Sequence, residues 1–102
     1  MELENASAIV TGSSSGIGAA VALELAKKGC RVTINYSRNQ KGAEETAEAC
    51  QALGAETLVV QADVSDDADC QKLVDAAVSR FGGLQILVNN AGTTKFCRHQ
   101  EL

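Results

Sequence analysis

Short apolar runs alternate with stretches of helical periodicity along this chain, in three full cycles followed by a fourth apolar run. The first run, Ala6 to Val10, meets a turn rich in glycine and serine. Beyond it Ile17, Val21 and Leu25 recur at helical spacing, with Ala22 and Ala26 beside them. Lys27, Lys28 and Gly29 close that helix, placing cations at its negative end and a glycine where a left-handed residue is needed. A second strand is predicted from Arg31 to Asn35. A second helix runs from Gln40 to Leu53, with Ala43, Ala47, Cys50 and Leu53 on one side and Gly54 as its stop. The third strand is Thr57 to Gln61. Ser65 or Asp66 caps a third helix, whose first turn carries Asp66, Asp67 and Asp69 and whose apolar stripe is Leu73, Val74, Ala77, Val78 and Phe81. Gly82-Gly83 ends it. Gln85 to Val88 forms the fourth strand, and its unbroken apolar character predicts burial on both faces, as in a parallel sheet. The expected architecture is α/β, a doubly wound parallel sheet of βαβαβαβ order with spatial order 3-2-1-4.

Composition narrows what fills and surrounds this fold. The 102 residues suit one small domain, and with 45% apolar but 3% aromatic residues the core is built from Val, Ile, Leu and Ala. A net charge of -4 and the lack of any Lys/Arg run argue against nucleic acid or anionic lipid as a partner. Apolar stretches such as Ile86-Leu87-Val88 are far shorter than the roughly 20 residues a membrane span needs, so no membrane partner, leader or anchor is expected. Cys30, Cys50, Cys70 and Cys97 form no Cys-x-x-Cys pair, and His99 is the one histidine. Free thiols, no metal site and a cytoplasmic location are the expectation.

The chemistry is concentrated where strands end. Gly12, Gly16 and Gly18 stand between a strand and a helix, the context of a Rossmann-type phosphate loop. Gly12 permits a tight turn, Gly16 lets the backbone approach a pyrophosphate, and Gly18 lets the helix lie close to the sheet. Unpaired N–H groups of the first helical turn face the anion, and Ser13, Ser14 and Ser15 add hydroxyl donors. At the end of strand 2, where an acidic residue would bind a ribose 2′-hydroxyl, the chain reads Asn35-Tyr36-Ser37-Arg38. Without a carboxylate, and with the Arg38 guanidinium, the Ser37 hydroxyl and Lys41 nearby, this end favours NADP(H), with NAD less favoured. Asp63, before Val64, either accepts a hydrogen bond from an adenine amino group or fixes a turn. Of the two amides after strand 4, Asn89 is expected to stitch strands together and Asn90 to face the cofactor.

Taken in order, Thr-Gly-x-x-x-Gly-Ile-Gly, the basic end of strand 2, Asp63-Val64 and Asn89-Asn90-Ala91-Gly92 resemble the short-chain dehydrogenase/reductase family. Val32 to Ser37 and Gly92-Thr93-Thr94-Lys95 look most like its 3-oxoacyl-[acyl-carrier-protein] reductases. The resemblance covers the N-terminal part of such a domain, a Rossmann-type sheet truncated after strand 4. It implies cofactor contacts at Gly12, Ser14, Ser15, Gly16, Ile17, Gly18, Tyr36, Ser37, Arg38, Asp63, Val64, Asn90, Ala91 and Gly92. The family's catalytic Asn, Ser and Tyr-x-x-x-Lys lie downstream of Asn-Asn-Ala-Gly, so no catalytic residue is assigned. Tyr36 is followed four places on by Gln40, and His99 is expected to be solvated surface.

The resemblance implies an NADP-dependent oxidoreductase moving hydride between nicotinamide and a carbonyl or alcohol substrate, with 3-oxoacyl thioester reduction as the finer form. The full-length protein is expected to be a homo-oligomer, a tetramer or dimer; in the fragment alone Ile86-Leu87-Val88 would lie on an exposed edge, where an apolar strand invites another chain. Two competing readings are a nucleotide-binding module without catalysis and a scaffold with no ligand.

Overall fold

The computed structural model describes residues 3–90. Its elements are β1 (Ser7–Val10), α1 (Gly16–Lys27), β2 (Arg31–Tyr36), α2 (Gln40–Ala52), β3 (Thr57–Gln61), α3 (Asp67–Phe81) and β4 (Ile86–Val88). All strand pairs are parallel, in the order β3-β2-β1-β4. β1 is central: Ile9 stands beside Thr33 of β2 on one side and Leu87 of β4 on the other. The expected doubly wound order is therefore the one adopted.

Alternation along β1 assigns the two faces of the sheet. Ala8 and Val10, with Val32 and Ile34 of β2, join Ala22 and Ala26 of α1 and Ala43, Ala47 and Cys50 of α2 in one core. Ile9 points the other way, into a second core with Leu73, Val74 and Ala77 of α3. Asp66 is the cap of α3, its carboxylate accepting from Ala68 N at 2.8 Å and Asp69 N at 3.3 Å. That decides between Ser65 and Asp66. Asn39 caps α2 in the same way, accepting from Gly42 N at 3.0 Å.

Three apolar side chains are not where periodicity put them. Ile17 is 74% exposed, and the buried line on α1 is Gly18, Ala22 and Ala26, displaced by one residue from Ile17-Val21-Leu25. Leu53 is exposed because α2 ends at Ala52. Val78 is also exposed, whereas Cys70 joins the buried stripe of α3. β4 is half-buried rather than covered on both faces, since it pairs only with β1 among the described residues.

Cys30, Cys50 and Cys70 are buried free thiols. Burial pushes the Cys30 and Cys50 thiols up, which favours the unreactive protonated form. Cys97 and His99 lie outside the described residues. Among the described residues no helix is long and apolar enough to cross a membrane.

Candidate cofactor-binding site

The loop after β1 is held from both sides. Thr11 is buried, and its N–H donates to Val88 O at 3.0 Å. Its hydroxyl accepts from Asn90 N at 2.7 Å and lies 3.2 Å from Asn89 Oδ1. On the β2 side, Ser13 N donates to Asn35 O at 2.9 Å. The Ser13 hydroxyl donates to Val10 O at 2.7 Å and accepts from Asn35 N at 2.9 Å. Ser13 is therefore committed inward, and the expectation that its hydroxyl serves a ligand is corrected. A serine fully shielded from water must satisfy its hydroxyl within the protein.

Gly12 and Gly16 each have φ of 61°, the left-handed region that side chains disfavour. Between them, Ser14 lines an open cleft and Ser15 is the cap residue of α1. Ser15 is exposed and makes no side-chain cap bond, so its hydroxyl and the first-turn N–H groups of Gly16, Ile17 and Gly18 are not consumed by capping. Gly18 meets a different demand. A Cβ there would overlap the Gly12 carbonyl oxygen and stand 2.6 Å from Asn90 Nδ2. Only a glycine lets α1 approach the strand ends this closely.

Beside the loop lies a cleft of about 370 Å³ between the ends of β2 and β3. Gly12, Ser14, Ser37, Arg38, Asp63 and Val64 line it, so six of the residues read from the sequence meet in one place. Arg38 and Asp63 are the charged groups in that lining. Asp63 Oδ1 accepts from Ser65 Oγ at 2.6 Å and Ser65 N at 3.0 Å, and Asp63 N donates to Asp69 Oδ2 at 2.8 Å. Those bonds from Ser65, with some attraction from Arg38, hold the Asp63 carboxyl below the ordinary aspartate range. Asp63 thus fixes a turn and keeps a negative charge at the mouth of the cleft.

Other expected residues sit elsewhere. Tyr36 is half-buried against the α1 and α2 core. Lys41 is exposed on the first turn of α2 and does not line the cleft. Asn89 does stitch, through its contact with Thr11. Asn90 is drawn to the loop as well, its Nδ2 lying 3.4 Å from Gly12 O. Ala91 and Gly92 lie outside the described residues.

Asn35 and Gly42 also shape the site, and neither stands out in the sequence. The Asn35 side chain accepts from Gly12 N at 2.9 Å and donates to Ala62 O at 3.2 Å. A polar amide at the end of an apolar strand was its only signal. Gly42 is buried against Ser14, and a Cβ there would overlap the Ser14 carbonyl oxygen. A glycine inside the first turn of a predicted helix was the sign of that close approach.

A family model described as short chain dehydrogenase matches residues 6–102. The chain belongs to that family. A short-chain dehydrogenase/reductase homolog of Bacillus subtilis is 47% identical over 95 residues, covering 93% of this chain and 87% of the homolog. An uncharacterized oxidoreductase of Methylorubrum extorquens is 46% identical over 101 residues, covering 99% of this chain and 41% of its own. The crystal structure of a short chain dehydrogenase from Burkholderia cenocepacia in complex with NADP superposes with a TM-score of 0.86 at 41% identity. That match covers 93% of this chain and 39% of the other. The chain thus spans about two-fifths of the length of the latter two relatives and nearly all of the first. The α/β sheet is that family's Rossmann-type fold.

Proposed function

We propose that residues 1–102 form the NADP(H)-binding N-terminal part of a short-chain dehydrogenase/reductase domain that moves hydride between nicotinamide and a carbonyl or alcohol. The observation that carries this reading is the cleft itself: just beyond β2, in a stretch with no carboxylate of its own, Arg38 lines it beside the glycine-rich loop, with Asp63 in the same lining. In this reading the unpaired N–H groups at the start of α1 receive the pyrophosphate, with the Ser14 and Ser15 hydroxyls as added donors. Arg38 and Ser37 take the ribose 2′-phosphate, where a guanidinium fork suits phosphate oxygens. Asp63 and Val64 border the adenine and Asn90 extends the cradle toward the nicotinamide, while Ala91 and Gly92 are assigned as cofactor contacts from the family resemblance alone. The bound cofactor supplies the hydride, and the protein's described residues supply binding and orientation.

The finer assignment, reduction of a 3-oxoacyl thioester, draws on a 3-oxoacyl-[acyl-carrier-protein] reductase of Staphylococcus epidermidis that is 43% identical over 91 residues. We place the full-length protein in the cytoplasm as a homo-oligomer. A second reading, a nucleotide-binding module without catalysis, is favoured by the Bacillus subtilis homolog, of which this chain covers 87%.

Titration of the chain with NADPH and NADH tests the central claim. NADPH is expected to bind at least about tenfold more tightly, and Arg38→Ala to remove most of that preference, as loss of a charge-assisted phosphate contact should. Tighter binding of NADH by the unmodified chain would overturn the assignment. Carbonyl-dependent oxidation of NADPH by the 102-residue chain would overturn the view that catalytic groups lie elsewhere.

A further inference from the structure

We propose that Asn35 is a positioning residue for the phosphate loop, a carboxamide latch that sets the Gly12 peptide before the cofactor arrives. The inference rests on the reading of this loop as an NADP(H) site. Asn35 is 2% exposed, so its amide must find partners inside the protein. It finds them on two elements at once. Oδ1 accepts from Gly12 N at 2.9 Å, while Nδ2 donates to Ala62 O at 3.2 Å and Val60 O at 3.3 Å at the end of β3.

That division fixes the amide's orientation. Reversed, it would set Nδ2 against an N–H donor and Oδ1 against the carbonyl oxygens of Val60, Ala62 and, at 3.4 Å, Tyr36. The main chain of the same residue holds Ser13 from both directions, at 2.9 Å for Ser13 N to Asn35 O and 2.9 Å for Asn35 N to Ser13 Oγ. Pairing in the sheet needs none of the side-chain bonds, and asparagine is otherwise disfavoured in strands. What the carboxamide adds is a fixed link from Gly12 to the end of β3. The donors that follow Gly12 then inherit one orientation, which lowers the ordering needed when an anion binds.

The latch needs an acceptor and a donor on one planar group, and Asn35→Asp removes the donor in a pH-dependent way. At about pH 8 an ionised carboxylate still accepts from Gly12 N but faces those three carbonyl oxygens. At about pH 5.5 protonation of that buried acid restores a donor toward β3. The charged groups in the cleft lining are Arg38 and Asp63, and none is contributed by the loop. Measuring the unmodified chain at both pH values cancels their contribution and that of the cofactor's own phosphate.

Titrated with NADPH, Asn35→Asp should bind about tenfold more weakly than the unmodified chain at the higher pH, with the gap narrowing to about threefold or less at the lower. No weakening, or equal weakening at both pH values, would overturn the proposal. Amide hydrogen exchange of the unmodified, cofactor-free chain gives a second measurement that depends on neither the variant nor NADPH. Gly12 should be protected like Val10 of β1, and exchange at the rate of the exposed Gly16 would overturn the latch even if NADPH binds. Protection of Gly12 together with a failure to bind NADPH would refute the cofactor assignment and leave the latch standing.

Discussion

The two faces of the sheet are packed on different scales. On the α1 and α2 face the helices contribute Ala22, Ala26, Ala43, Ala47 and Cys50, small groups that let helices and strands approach closely. On the α3 face the helix contributes Leu73 and Val74 with Ala77, and Phe81 is buried under Arg31, whose guanidinium lies 5.3 Å from the ring centroid. Polar groups are also handled differently. Ser7 and Thr33 share the α3 face with Ile9, and their buried hydroxyls have no hydrogen-bond partner among the described residues. The small-residue face serves the site, because the distance from α1 to the strand ends decides whether Gly18 clears Gly12 and Asn90. The large-residue face serves stability first, since Leu73, Val74 and Ala77 fill volume without touching the glycine loop, and it meets the site only through Val64 and the Asp69 bond to Asp63 among the described residues.

That contrast can be broken from either side. Leu73→Ala should have the largest effect on stability, about 3 kcal/mol, because it opens a cavity beneath Ile9. Urea unfolding would read this as a lower midpoint, and NADPH affinity of the folded variant should stay within about threefold. Gly18→Ala should cost about 2 kcal/mol through overpacking and weaken NADPH binding by at least about tenfold, since α1 must withdraw from Gly12. Titration below the unfolding midpoint separates the two losses. A tight-binding Gly18→Ala would remove the distinction between the faces. The smallest change runs the other way: Thr33→Val keeps the shape, deletes an orphan hydroxyl, and should stabilise by about 1 kcal/mol with NADPH affinity unchanged. Thermal melts with and without NADPH would check it.

Legibility in the sequence followed the same division. Strands such as Thr57–Gln61 could be bounded because an apolar β-branched run between glycine-terminated helices has little choice of state. The buried line of α1 could not, because Gly18, Ala22 and Ala26 carry almost no hydrophobic signal beside Ile17, Val21 and Leu25. Periodicity marks where apolar residues recur, whereas close helix packing selects the small ones. In the site, Arg38, Ser37 and Asp63 were visible because their charge or hydroxyl is placed by the end of a strand, a local fact. The inward turn of Ser13 and the bridging of Asn35 depend on partners 22 and 23 residues away in the sequence. Local spacing holds no record of them.

The central place of β1 also bears on the order in which the molecule assembles. Its β2 side is bridged at a sequence separation of 23, from Gly12 to Asn35, while its β4 side is bridged at 78, from Ser7 to Gln85. Closing the longer loop costs about 1 kcal/mol more in chain entropy. Pairing of β1 with β2 therefore has the kinetic advantage, and β4 is favoured to dock onto a sheet already begun. Asn90, which follows β4 and reaches back to Gly12, joins at that stage. The glycine loop follows the first strand of this sequence, yet one wall of it is completed only when β4, the last described strand, closes.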